Sequence, residues 1–167
     1  LVYAWKKYSN IVMASNLVFS TKIETNDGKS QVNPLHIDMV ETPFGQLTGT
    51  VRTGFANAVQ DSEDNSVRYA LLERDGYQSF AAAIVRAAIE SDEGTVDPVS
   101  TMPVDANNGI IIDYTGDVDS YEILSMIDVL EGKIPAEIFS NSIVLIGVHA
   151  AGMGDSYARS EEHTSEL

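Results

Sequence analysis

The sequence predicts an α/β fold: a layered, largely parallel β-sheet flanked by helices, with a possible antiparallel hairpin at one edge. Three observations carry that expectation. Two short continuous apolar runs, at residues 110–112 and 143–146, read as strands covered on both faces. Segments with apolar residues at helical spacing flank them, the clearest at residues 77–91. Asn26-Asp27-Gly28 is a strong hairpin turn between two stretches rich in strand formers.

In chain order, residues 1–8 read as the last turns of a helix, because Lys6 and Lys7 stand where cations favour the carboxyl end and Ser9-Asn10 offers a stop. Residues 11–14 suit a short buried strand. Residues 17–23 alternate apolar and polar, so the turn at Asn26-Asp27-Gly28 is expected to fold them onto residues 37–40. Residues 42–45 are loop, 61–66 a polar turn and 67–72 a strand. The helix at 77–91 places Phe80, Ile84, Val85, Ala88 and Ile89 on one stripe. Pro98 and Pro103 mark a loop, and residues 109–114 form the first continuous apolar strand. Asp119 and Glu122 make a capping pair for a helix carrying Tyr121, Leu124, Ile127 and Leu130, stopped by Gly132. Pro135 starts a short helical turn, and residues 143–147 form the second buried strand, which runs into a small-residue loop at 148–155.

The 167 residues suffice for one domain with a real core, and 44% of them are apolar. A formal charge of −15 disfavours nucleic-acid and anionic lipid partners, since both would be repelled. The absence of cysteine excludes disulfides, thiolate metal sites and a cysteine nucleophile. Neither apolar run approaches the roughly 20 residues needed to span a bilayer. Without an initiator Met or a signal core, the chain is expected to begin inside an element. Residues 159–167 read as the translation of a sequencing-library adapter. They are set aside as a non-native tail, which leaves residues 1–158 as one partial domain with His36 and His149 as its histidines.

Most tests for chemistry fail on the residues themselves. Aligning Gly147 and Gly152 to a phosphate-binding loop puts Met153 where lysine belongs and Gly154 where the hydroxyl belongs. A dinucleotide fingerprint begun at Gly152 meets Tyr157 in place of its last glycine. Asp61, Glu63 and Asn65 alternate like calcium-loop ligands, yet Ser66 and Leu72 occupy the glycine and bidentate glutamate positions. A weak calcium site on Asp61, Glu63 and Asp64 stays open beside the simpler reading of a solvated turn. Two separated histidines do not make a zinc centre, and there is no serine nucleophile elbow.

From Gly54 onward a series of short motifs follows in order. They are Gly54-Phe55-Ala56-Asn57, Asp64-Asn65-Ser66-Val67-Arg68, Ile111-Ile112-Asp113-Tyr114-Thr115-Gly116, the stretch from Ser125 through Gly132 to Pro135, and the stretch from Ile143 through Gly147 to Asp155. Taken together, these resemble the second type of CHASE domain, the cyclase and histidine-kinase associated sensory extracellular family. The resemblance covers most of residues 1–158 and is least distinctive around residues 17–49. Asn65 stands where the family usually has glycine, and His149 where it usually has a smaller polar residue such as threonine. Family members open with strand–helix units ahead of Leu1 and continue beyond Asp155, so the resemblance implies truncation at both ends.

The resemblance further implies an extracytoplasmic sensory domain of a bacterial membrane receptor, coupled to a cytoplasmic cyclase or kinase and not itself an enzyme. For a sheet of this class, a ligand is expected in the crevice beyond the carboxyl ends of the buried strands. Asp113, Tyr114, Thr115 and Gly116 would line it from one strand exit, and Gly147, His149, Ala151, Gly152 and Asp155 from the other. No catalytic residue, metal or cofactor is expected. The expected partner is a small-molecule or ionic stimulus, with a homodimer also compatible. Two other readings stay open: a hydrolase-like enzyme using Asp113, His149 and Asp155, and a ligand-free dimerisation module.

Overall fold

The computed structural model describes residues 5, 7–42, 45, 49–90, 94–114, 116 and 120–148. They build a mixed α/β protein in which strands outweigh helices. Two compact units divide the chain, one within residues 1–111 and one within residues 112–156.

In the first unit, strand β1 (Val12–Asn26) runs unbroken where two shorter strands were expected, because no glycine or proline interrupts residues 14–17. Its first residues pair in parallel with β3 (Arg52–Phe55), from Val12 opposite Arg52 to Ser15 opposite Phe55. From Asn16 onward it pairs antiparallel with β2 (Lys29–Glu41). The predicted hairpin therefore forms, with Leu17 opposite Val40 and Phe19 opposite Ile37. Its two turn residues, Asp27 at φ 52° and Gly28 at φ 74°, both take the left-handed conformation that matches the twist of the strands.

A second three-stranded sheet orders β4 (Val59–Gln60), β5 (Val67–Leu71) and β8 (Gly109–Ile111), all antiparallel. Strand β5 lies where the sequence places it. Strand β8 corrects an expectation: among the described residues it lies at the edge of its sheet, and Ile111 is 75% exposed instead of covered on both faces. An apolar run states what a strand can bury, and the number of neighbours it acquires is decided elsewhere in the chain.

Strands β6 (Glu73–Arg74) and β7 (Tyr77–Gln78) form a small hairpin that delivers the chain to helix α1 (Phe80–Ile89). The helix starts later than its apolar pattern suggests because Ser79 caps it, accepting a hydrogen bond from the Ala82 N–H at 3.2 Å. Its most buried positions are Ala82 and Ala83, not the bulkier stripe, and Ala88 is exposed. Small residues face inward here because the first turn lies almost on the backbone of β3. A Cβ at Gly54 would sit 2.5 Å from the Ser79 carbonyl oxygen and 2.6 Å from the Phe80 Cα.

The core joins the two sheets through buried Leu17, Phe55 and Leu71, with Phe19, Ile37, Val40 and Val59 packed around them. Burying one such side chain is worth about 1.5–3 kcal/mol. After α1, Asp97 caps a short helix α2 (Pro98–Thr101) that the two prolines had concealed as loop. Asp97 also accepts a hydrogen bond from Arg86 Nε at 2.9 Å, which ties the two helices together.

In the second unit, helix α3 (Met126–Leu130) is shorter than expected. Residues 121–125 are not helical and Ser125 occupies the cap position, while Asp119 lies outside the described residues. The predicted stop holds, because Gly132 takes φ 71°. The Gly132 N–H bonds the Val129 carbonyl and the Lys133 N–H the Asp128 carbonyl, the paired closure of a Schellman motif. The turn after Pro135 is a 3₁₀ helix, Ala136–Phe139. Residues 143–147 overturn an expectation: they carry no strand among the described residues, and Ile143, Leu145 and Ile146 are 63%, 71% and 77% exposed. Their sequence has the composition of an inner strand, but composition supplies no ladder partner. The helix end expected at residues 1–8 falls largely outside the described residues.

Candidate functional site

Three places bear on function, and each begins with a local backbone feature. The first is the acidic turn before β5. Asp61 accepts a hydrogen bond from the Glu63 N–H at 2.9 Å, and Asp64 from the Ser66 N–H at 3.0 Å and the Ser66 hydroxyl at 2.7 Å. Asn65 between them takes φ 58°, a conformation that asparagine tolerates better than most residues. Arg68, projecting from β5, reaches back with Nη1 3.0 Å from both Asp61 Oδ2 and Asp64 Oδ1. The guanidinium, then the Ser66 hydroxyl and amide, hold the Asp64 carboxyl well below the usual carboxylate range. A cation already stands between these carboxylates, and it is an arginine. Among the described residues, no group of three or more His, Asp or Glu could hold a metal ion.

The second place lies where β1 exchanges one partner for the other. Just after β3, Asn57 turns its amide onto the β1 backbone: Oδ1 accepts from the Leu17 N–H, and Nδ2 donates to the Leu17 carbonyl, both at 2.8 Å. Nδ2 also donates to Asn16 Oδ1 at 2.8 Å, and Asn16 Nδ2 donates to Glu41 Oε2 at 2.9 Å. This relay fixes the Glu41 carboxylate beside a shallow depression of about 310 Å³ lined by Ala14, Ser15, Asn16, Glu41 and Thr42. Sequence reasoning placed Asn57 within a motif without giving it a role, and missed Asn16 and Glu41. A polar residue two positions past a strand could have pointed there, but β3 itself was not read from the sequence.

The third place is the expected crevice. Asp113 follows β8 and is exposed, and Tyr114 beside it is partly buried. Gly116 is exposed and packs against Ser120, whose hydroxyl oxygen occupies the space a Cβ would need. Gly147 stands in the open, with no described heavy atom within 4 Å of where its Cβ would be. Thr115, His149, Ala151, Gly152 and Asp155 lie outside the described residues. Of the predicted lining, the structure therefore gathers Asp113, Tyr114 and Gly116 into one stretch, and none of the described residues walls Gly147.

No curated protein and no solved structure matches the chain. No described helix is long and apolar enough to cross a membrane. A family model described as the CHASE2 domain matches residues 1–160, a span that takes in the Asn57 clamp, the Arg68 turn and the stretch around Asp113. The chain belongs to the CHASE2 domain family, a family of sensory extracellular domains of signalling receptors.

Proposed function

We propose that this domain receives a stimulus outside the cytoplasmic membrane and relays it, through spanning segments of its parent receptor, to a nucleotide cyclase or a protein kinase. Family membership over residues 1–160 is the observation that carries the reading. A sensory domain acts by binding its stimulus more tightly in one of two conformations, and the difference in affinity sets how far their populations move. The stimulus in this reading is a small molecule or ion, and a homodimer is compatible with it. Its contacts are assigned to the segments at 113–116 and 147–155, where the accessible carboxylate of Asp113 supplies one polar anchor. The layered, largely parallel sheet belongs to the same reading. The parallel β1–β3 ladder supports it.

Two measurements test the proposal. Alkaline phosphatase fused after the domain in its native gene should be active, as it folds only outside the cytoplasm; an inactive fusion beside an active cytoplasmic reporter would overturn the location. Thermal-shift screening of the domain against periplasmic metabolites and divalent ions should then raise the melting midpoint for at least one class of compound, since a ligand of the native state must stabilise it. Loss of that shift in Asp113→Asn is the expected result, and an unchanged shift would move the contact elsewhere.

A further inference from the structure

We draw no further inference here: the strongest candidate, the exposed apolar run at residues 143–148 of the second unit, has nothing in the structure to show what covers it.

Discussion

Asn57 holds both backbone groups of Leu17 with one side chain, taking its N–H on Oδ1 and giving Nδ2 to its carbonyl at 2.8 Å each. A carboxamide presents a donor and an acceptor side by side, as a peptide group does, so Asn57 acts as one more rung of the ladder beyond the last residue of β3.

Replacing it tests that role. Asn57→Ala leaves the Leu17 N–H and carbonyl without their partner in a partly buried place, which costs about 1–3 kcal/mol. Asn57→Asp keeps the acceptor but turns a carboxylate oxygen toward the Leu17 carbonyl, and is expected to be at least as harmful as alanine. Urea unfolding followed by circular dichroism would show both midpoints lowered at constant slope. A wild-type midpoint in the alanine variant would rule out the clamp.

Gly54→Ala is expected to be among the most damaging single-methyl additions in the chain. The new Cβ would meet the Ser79 carbonyl oxygen, the Phe80 Cα and the Phe80 nitrogen at 2.5, 2.6 and 2.7 Å. All three are backbone atoms, so α1 has to move away from β3, at a cost of about 1–3 kcal/mol or more. The melting temperature should fall by several degrees. Ala82→Gly, which removes a buried methyl from the same helix without forcing it outward, should cost about 1 kcal/mol through helix propensity, and somewhat more for the small void it leaves.

Acid should weaken the first unit in a defined direction. Asp64 is depressed from the ordinary 3.8, first by the Arg68 hydrogen bond and then by Ser66, and Asp97 is depressed chiefly by Arg86. A carboxyl whose folded value lies below its unfolded one contributes stability that is complete above the unfolded value and disappears as pH falls through the folded one. Stability should therefore decline below about pH 4 and keep declining as the medium is made more acidic. Asp64→Asn should lower the urea midpoint at neutral pH and flatten this acid limb, whereas an equally steep limb in the variant would assign the loss to other groups.

Gly132→Ala addresses the second unit. The φ of 71° at this position is in the left-handed region, where an added Cβ costs about 1 kcal/mol or somewhat more. Hydrogen exchange should report it locally, with faster exchange at the amides of Gly132 and Lys133, which close the end of α3 on Val129 and Asp128. Protection on β1 and β5 should stay as it was.

What the sequence revealed follows the range of the chemistry involved. The hairpin was legible because Asp27 and Gly28 enforce their own turn, and the stop at Gly132 was legible for the same reason. Helix α1 was legible from spacing, but its starting residue was not, since the Ser79 cap overrides an apolar pattern already under way at Tyr77. Strand β3 escaped notice because Gly54 weakens a strand when read locally, and its value emerges only once a helix lies across it. Residues 143–147 were misread for the opposite reason: their side chains favour a buried strand, yet pairing is a property of two segments and an apolar run specifies only one of them. Of the expected crevice, Asp113, Tyr114 and Gly116 are adjacent simply because they are neighbours in sequence.

The uninterrupted course of β1 couples two things that separate strands would leave independent. Its alignment against β2 and its alignment against β3 are one variable, so sliding by a single residue would carry Leu17 from the interior to water and pull its amide away from Asn57 in the same step. From Val12 to Val18, ahead of the first register shift against β2, the strand can therefore tilt or twist as a rod, but it has no inexpensive way to ratchet.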